Sequence, residues 1–441
     1  MWKFASQVGI RTAVRAASTS SQPTKVAGDI SSVFPSLRSD YKPEPLPKRF
    51  EDLKLRYFLR NGSALKKSWV RLLASLEHEV EEIRKAGSDL GSDGVGNDAG
   101  RLDDARVDAT CQTTGIPSIN FSDILSGEVS LLGRIPISFG PSAFCKEFGI
   151  FRSQNTALHD LPSSYADRFR IRNPGDAKFA LGPHIDGGSL ERWEDPEYSS
   201  VYQKILDGSW EEYDPFDARH RVHAKMDLYN GAGACSMLRF FQGWLSMSDT
   251  GPGEGTLHVC PMLKSSTAYT ILRPFFDVRT SEPLMDSSFP GSVPGVCQEY
   301  SDLSHPHLKL STTMVSVPRV EPGDYVAWHC DCLHSVDNEH RGKGDSSVLY
   351  IPAAPLCEMN ARYLQKQRQA ALTYSPPWDY PNAGGPGEFG FAGAVDWSTL
   401  SHDGLQAMGM GDAPWQVQGG MSQGEREAIE IGNKIVFENN S

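Results

Sequence analysis

The stretch that decides the fold is Gly182-Pro183-His184-Ile185-Asp186-Gly187-Gly188, followed about 150 residues later by Cys332-Leu333-His334-Ser335-Val336. Side chains at positions i and i+2 of a strand point to one face, so His184 and Asp186 can enter a barrel mouth from the same strand end. If the chain between the two segments is a sheet that closes on itself, His334 can complete a set of two histidines and one carboxylate. Such a set leaves coordination positions open and suits non-haem Fe(II) chemistry with oxygen better than structural zinc.

The His-x-Asp motif is weak alone, because His329-Cys330-Asp331 is a second match in the same chain. The turn Pro322-Gly323-Asp324 precedes an apolar strand that delivers His334 ten residues after Asp324. We therefore predict His334 as the third ligand and His329 as a packing or supporting residue on the same strand. A zinc site built from the histidines and cysteines of residues 329–334 is disfavoured, because His329 would point away from the other side chains.

Composition excludes several classes of protein. The chain has 441 residues and a formal net charge of −12, so it lacks the basic footprint expected of a nucleic-acid-binding protein or of a protein that docks on anionic membranes. No run of eighteen apolar residues occurs, so no membrane span is predicted. The eight cysteines are scattered, which indicates reduced thiols rather than a disulfide framework. A small-molecule substrate is the expected partner.

The N-terminal part divides into three stretches. Residues 1–28 lack Asp and Glu but carry Lys and Arg among Ser, Thr and Ala. They predict a mitochondrial transit peptide, with a disordered polar terminus and a cytoplasmic protein as the alternative. An amphipathic helix is predicted over about 63–86, followed by a flexible Gly/Ser/Asp loop over 87–104. The apolar face of that helix is Leu65, Trp69, Leu72, Leu73, Leu76, Val80 and Ile83.

Short apolar or alternating runs separated by Gly, Pro and Asp begin at about residue 165 and predict many short strands. The predicted strands are Lys178–Leu181, Met237–Trp244, Gly255–Val259, Thr312–Val317, Tyr325–Trp328 and Ser347–Ile351. Many short strands favour a sandwich or jelly-roll barrel over a parallel sheet with alternating helices. Helices are predicted over Pro355–Ala371 and about 423–437, with a Pro- and Gly-rich segment between them that wraps the outside.

Several segments carry a family resemblance. Asp167–Gly188 resembles the signature of the YbiU-like family, domain of unknown function 1479, as do Tyr213–Asp217, Phe241–Trp244, Gly255–Leu257 and Tyr350–Pro355. The resemblance covers about 165–410, with the motifs in the same order. That family looks like Fe(II)/2-oxoglutarate-dependent dioxygenases. The resemblance implies a mainly β protein with flanking helices (α+β), in which a helical cap and loop (29–110) precede a double-stranded β-helix, or cupin-like jelly-roll barrel, with a C-terminal wrapping segment (111–441).

The resemblance also implies an activity. The expected metal ligands are His184, Asp186 and His334, and the expected cofactors are Fe(II) and the co-substrate 2-oxoglutarate. Together with molecular oxygen they would hydroxylate an unknown small, acidic substrate. No catalytic residue beyond the metal ligands is implied.

Three arginines alternate along the strand that leads to the ligands, so they can present one cationic face to an acidic substrate. They are Arg168, Arg170 and Arg172. The alternative is that these arginines pair with the abundant carboxylates of the chain.

The chain departs from the resemblance in two places. In many relatives an Arg about eleven residues after the distal histidine binds the oxoglutarate carboxylate, whereas Asp345 and Ser346 stand here. Arg239 and Arg341 are the predicted replacements, because the guanidinium fork suits a carboxylate, with a solvated surface charge as the alternative for each. The segment at about 105–160 is also shorter than in relatives.

Two other functions stay open at this point. One is a cupin-like metal-dependent enzyme that keeps the ligands but uses no oxoglutarate. The other is a catalytically degenerate barrel that binds a small acid or a protein partner, an alternative that rests on the short upstream segment.

Overall fold

The computed structural model describes residues 45–88, 155–163, 169–177, 181–231, 236–352, 354–376, 398, 400–410 and 414–438. The predicted transit peptide at 1–28, most of the loop at 87–104, most of the short segment at 105–160 and Arg168 lie outside the described residues. The mitochondrial location and the three-part domain division therefore stay predictions.

The predicted amphipathic helix is the end of a longer one, α1 (Arg49–Ser88). The backbone leaves helical geometry at Asn61, with φ −136° and ψ 17°, where the side-chain amide donates to the carbonyl of Leu206 at 3.1 Å. The apolar face that follows packs on the body of the protein. Trp69 is fully buried and stacks on Tyr269 and Phe276, with ring centroids 5.3 and 5.1 Å away.

The other helices of the described residues are mostly short. They are α2 (Glu191–Glu194), α3 (Pro196–Val201), α4 (Gln203–Leu206), α5 (Leu263–Leu272), α6 (Leu310–Thr313), α7 (Glu358–Leu372), α8 (His402–Ala407) and α9 (Gln423–Asn433), with a π-helical turn at Lys434–Glu438 and 3-10 turns at Trp210–Glu212, Arg221–His223, Arg273–Phe275 and Pro306–Leu308. None of these helices combines the length and the apolar character that a membrane crossing needs.

The strands form three antiparallel sheets. They are β1 (His159–Pro162), β2 (Phe169–Arg172), β3 (His184–Ile185), β4 (Phe241–Ser246), β5 (Leu257–Val259), β6 (Gln298–Glu299), β7 (Val315–Ser316), β8 (Tyr325–His329), β9 (His334–Val336), β10 (Ser346–Tyr350) and β11 (Pro355–Leu356). β1 pairs with β11, the second sheet has the order β2-β10-β4-β8, and the third has the order β6-β3-β9-β5-β7.

The two larger sheets share one apolar core. Trp244 and Val348 contribute to it from the four-stranded sheet, and Leu257 and Val336 from the five-stranded sheet. A mixed helix-and-sheet fold with antiparallel sheets is therefore confirmed. Strand pairing among the described residues does not close into a barrel, so the closed jelly-roll barrel expected from the sequence is not confirmed.

Two strand predictions were wrong in their bounds, because side-chain oxygens there accept hydrogen bonds from backbone amides that a strand would pair with a neighbouring strand. The predicted strand at Thr312–Val317 shrinks to β7, since Leu310–Thr313 is helical and the Leu310 amide donates to the Asp302 carboxylate at 2.8 Å. The predicted strand from Met237 begins only at Phe241. The amide of Leu238 donates instead to the Asn360 side chain at 2.8 Å, which ties this segment to α7.

The stability of the fold is expected to depend on pH through His305. This side chain is fully buried against Tyr300, and burial together with the charge of Arg273 lowers its pKa to about 3. In the unfolded state His305 binds a proton near pH 6.5, whereas in the folded state it stays neutral down to about pH 3. The free energy of unfolding therefore falls as the pH drops from about 6.5 toward 3. We expect His305→Phe to reduce the slope of unfolding free energy against pH by about 1 kcal/mol per pH unit on average between pH 5 and 7, approaching about 1.4 kcal/mol per pH unit toward pH 5. Urea unfolding between pH 5 and 7 measures the slope, and an unchanged slope would contradict a neutral His305.

Candidate metal centre

Neighbouring strands of the five-stranded sheet bring the three predicted ligands together. His184 in β3 stands directly opposite His334 in β9, with ring centroids 4.2 Å apart. Asp186 follows β3 immediately. Its carboxylate oxygens lie 3.7 Å from Nε2 of His184 and 3.7 Å from Nε2 of His334. One ligand atom from each residue falls within 4.8 Å of the others, so a single metal ion can contact all three.

Backbone carbonyls orient both imidazoles. Nδ1 of His184 donates to the carbonyl of Gly182 at 2.7 Å, and Nδ1 of His334 donates to the carbonyl of Cys332 at 2.9 Å. The proton is thereby held on Nδ1, and the Nε2 lone pair faces the carboxylate. This is the usual arrangement of histidines that bind metals, because the hydrogen bond fixes both tautomer and ring orientation.

The electrostatics keep the ligand atoms able to bind a cation. Burial raises the pKa of Asp186, but His184, His334, Arg239 and a hydrogen bond from Gln242 outweigh it and lower the pKa to about 2. Burial and then the neighbouring His184 lower the pKa of His334 to about 3. A carboxylate that stays ionised beside an imidazole that stays neutral is the protonation state that metal binding requires.

The turn after Asp186 requires glycine. Gly188 has φ +85°, and a Cβ there would lie 2.7 Å from the carbonyl oxygen of Met226. Gly182, at the other side of the motif, has nothing within 4 Å of an added Cβ.

We therefore expect Gly188→Ala to lower the free energy of unfolding by about 1–3 kcal/mol through backbone strain and the clash. The same change should weaken Fe(II) binding by displacing Asp186. Gly182→Ala is the matched control and should change stability by less than about 0.5 kcal/mol. Urea unfolding and metal titration of both variants check this, and equal behaviour of the two would contradict the turn assignment.

His329 does not face this centre. Its Nε2 donates to the carbonyl of Pro215 at 2.9 Å, and its Nδ1 accepts from the amide of Asp331 at 3.1 Å. The ring packs against the three phenylalanines Phe216, Phe240 and Phe241. Burial and the charge of Arg221 lower its pKa to about 4. Both ring nitrogens are engaged, so His329 is a packing residue.

The second His-x-Asp match is an ion-pair network that sequence reasoning missed. Asp331 accepts hydrogen bonds from the hydroxyls of Tyr202 and Tyr213 at 2.9 and 3.0 Å and forms a buried salt bridge with Arg221. Burial raises the pKa of Asp331, but Arg221 and His329 outweigh it and hold the pKa well below its usual range. A metal ion here would stand beside the Arg221 guanidinium, which disfavours both this cluster and the zinc alternative. Tyr213, which donates to Asp331, lies in the segment Tyr213–Asp217, and that segment was identified from the sequence only as a family motif.

The carboxylate of the predicted ligand set opens onto a cavity. Asp186 lines it together with Gly187, Tyr198, Arg221, Ala224, Met226, Met237, Leu238, Arg239, Gln242 and Cys330. Arg239 thus lies beside the metal centre. Arg341 lines a separate cavity with Arg319 and His340, so the two arginines predicted to hold a carboxylate do not share a site.

The alternating arginines of β2 face inward. Arg170 is 8% and Arg172 0% exposed, while Phe169 and Ile171 between them are exposed. Arg172 donates to the carbonyls of Asp176, Asp337 and Gly255 at 2.8, 3.0 and 3.3 Å. Its guanidinium therefore ties loops together rather than facing a substrate.

Comparison with known proteins identifies relatives of this chain. The model of the Gig2-like family matches residues 144–410. YbiU of Escherichia coli K12 is 38% identical over 251 residues, which span 57% of this chain and 57% of YbiU. The matched stretch therefore covers little more than half of that relative.

Two solved structures are similar over most of the chain. One is GlcNAc Inducible Gene 2, GIG2 (DUF1479), of Candida albicans, with a TM-score of 0.71 and 31% identity over 91% of this chain and 97% of that one. The other is a Salmonella typhimurium LT2 protein described as "Putative Oxidoreductase", with a TM-score of 0.62 and 27% identity over 84% of this chain and 100% of that one. With a family match over more than half of its length, and in line with the resemblance of its motifs, the chain belongs to the Gig2-like family, DUF1479.

Proposed function

We propose that the protein is an Fe(II)- and 2-oxoglutarate-dependent oxygenase that hydroxylates a small molecule. The observation that carries this proposal is the convergence of two imidazole Nε2 atoms and one carboxylate, with the carboxylate residue Asp186 in the wall of a cavity. This donor set is typical of non-haem Fe(II) oxygenases because it leaves positions for a co-substrate and oxygen. The Salmonella relative described as "Putative Oxidoreductase" supports the same class of reaction.

We infer further that the two larger sheets are the halves of a double-stranded β-helix. From β2 to β5 the chain crosses between the four-stranded and five-stranded sheets at each step, and it does so again from β7 to β10. Two facing antiparallel sheets with this alternation and a shared core are the elements of a jelly roll. The ligands would then lie on the inner face of one half.

Bound iron would supply, with 2-oxoglutarate and oxygen, the oxidising power for hydroxylating a C–H bond, with succinate and carbon dioxide as co-products. The protein's own residues hold and orient the participants. Gln242 lines the cavity with Asp186 and helps to lower the pKa of that carboxyl, and the indole of Trp328 donates to the Gln242 side-chain oxygen at 2.7 Å, which fixes the amide. Asp186 is thereby kept ionised.

The cavity favours a substrate with an apolar body and a negative group. Ala224, Met226, Met237 and Leu238 give the wall its apolar character, and Arg239 adds a positive charge beside the metal ligands. Apolar walls with a few placed polar groups are typical of small-molecule sites. This favours a small acidic substrate.

Anaerobic titration with Fe(II), with and without 2-oxoglutarate, tests the proposal. We expect one Fe(II) per chain and a visible charge-transfer band that appears only when the keto acid is added. Iron binding without the band would favour the cupin-like enzyme that uses no oxoglutarate. Absence of binding for Fe(II) and other divalent metals would favour the degenerate, ligand-binding barrel.

A further inference from the structure

The turn that carries Asp186 lies just beyond the sheet. β3 ends at Ile185, and Asp186 is followed by Gly187 and Gly188, which have φ +79° and +85°. Glycine loses more conformational freedom on folding than any other residue, so a Gly-Gly turn needs contacts that hold it in one shape. The position of the Asp186 carboxylate therefore depends on the groups that fix this turn.

Two side chains fix the turn through its backbone carbonyls. Arg192 donates from Nη2 to the carbonyl of Asp186 at 3.2 Å and from Nη1 to the carbonyl of Gly188 at 2.6 Å. The hydroxyl of Tyr198 donates to the carbonyl between them, that of Gly187, at 2.9 Å. Three successive carbonyls thus each accept a hydrogen bond from a side chain. The two bonds from Arg192 are of the stronger kind, because their donor is charged.

The two donors are themselves held in the packed interior. Arg192 is 1% and Tyr198 3% exposed, and the guanidinium carbon lies 5.6 Å from the centre of the Tyr198 ring. Nη1 of Arg192 also donates to the side-chain oxygen of Gln298 at 3.3 Å, in the strand that pairs with β3. The Asp195 carboxylate caps α3 by accepting from the amide of Tyr198 at 2.8 Å. The donors can therefore hold the turn in place before a metal ion binds.

We propose that Arg192 and Tyr198 are positioning residues of the metal centre, which hold the Asp186 turn in the shape that binds the metal. The inference rests on the metal centre of the proposed function and not on its use of 2-oxoglutarate. Each side chain acts on the Asp186 carboxylate through the backbone of the turn. Hydrogen-bond partners outside a ligand set contribute roughly 10- to 100-fold to metal affinity.

A pair of tyrosine variants isolates one of these hydrogen bonds. Tyr198→Phe and Tyr202→Phe each remove one buried hydroxyl, but the hydroxyl of Tyr202 donates to Asp331 at 2.9 Å instead of to the turn. Equilibrium dialysis of the metal-free protein against Co(II), a stable substitute for Fe(II), measures the affinity. We expect Tyr198→Phe to weaken Co(II) binding roughly 5- to 10-fold, the effect of one hydrogen bond, and Tyr202→Phe to stay within about twofold of the wild type.

A pair of arginine variants tests the guanidinium. Arg172 is as deeply buried as Arg192 and also donates to backbone carbonyls, but to those of other loops. Both Arg192→Met and Arg172→Met should lower the melting temperature of the metal-free protein, because carbonyls lose their donors. We expect only Arg192→Met to lose affinity for Co(II), by roughly 10- to 100-fold, and to change the visible spectrum of the bound ion. Arg192→Lys keeps the charge without the fork and should recover part of the affinity.

The outcomes are distinct. If Tyr198→Phe and Tyr202→Phe bind Co(II) equally well, or if Arg192→Met and Arg172→Met lose the same affinity, the two donors only support the fold and the inference is wrong. If Arg192→Met does not fold, the tyrosine pair decides by itself. If the wild type binds no divalent metal, the proposed function fails and the inference falls with it. If it binds the metal but 2-oxoglutarate adds no charge-transfer band, only the choice of co-substrate fails, and the Co(II) comparison still tests the two donors.

Discussion

His334→Ala is expected to abolish Fe(II) binding, whereas His329→Ala should still bind one iron per chain. The two histidines are a matched pair, since each is 4% exposed and they flank the same turn. His334 presents Nε2 to Asp186, and His329 uses both ring nitrogens within its own surroundings. Loss of one of three ligands should weaken binding by more than about 100-fold, because loss of even an outer hydrogen-bond partner costs 10- to 100-fold.

Equilibrium dialysis with Fe(II) or a stable substitute such as Co(II) measures the effect. His329→Ala is also expected to unfold at lower temperature, because it leaves a cavity among the phenylalanines around it. If His334→Ala still binds the metal and His329→Ala does not, then His329 is the metal ligand and the assignment of the two histidines is wrong.

Arg221→Met is expected to lower the free energy of unfolding by about 3–5 kcal/mol, because it leaves the buried Asp331 carboxylate without its cation. The side chains of Arg221 and Asp331 are 3% and 2% exposed. Arg219→Met is the control, because Arg219 pairs with Asp217 on the surface and is 64% exposed. Exposed pairs of this kind contribute about 0–1 kcal/mol.

Urea unfolding of the two variants gives the comparison. The double variant Arg221→Met, Asp331→Leu should recover part of the lost stability, since removing both charges leaves none unpaired. If Arg221→Met and Arg219→Met cost the same, the network around Asp331 does not stabilise the fold as described.

The features that could be predicted from the sequence are those that depend on the local pattern of apolar and charged residues. The period of the helix face at 65–83 identified the residues that α1 buries, and the alternating arginines of β2 were correctly expected to share one face. The approach of His184 to His334 was expected as well, and it depends only on the pairing of β3 with β9 and not on a closed sheet.

Long-range partners could not be predicted in this way. Asp331 of the second His-x-Asp match is excluded as a metal ligand because it pairs with Arg221, which is 110 residues away in the sequence. No local sequence pattern predicts that pair. Likewise, three arginines at alternating positions look equivalent in the sequence. Only the carbonyls of Asp176, Asp337 and Gly255 distinguish Arg172 from Arg170.

The most direct test of the metal centre is a crystal structure of the Fe(II)-loaded protein with anomalous scattering measured at the iron edge. We predict one peak, bonded to Nε2 of His184, Nε2 of His334 and the carboxylate of Asp186, with its other positions facing the cavity. A peak among His329, Cys330 and Asp331, or no peak at the predicted position in fully loaded protein, would contradict it.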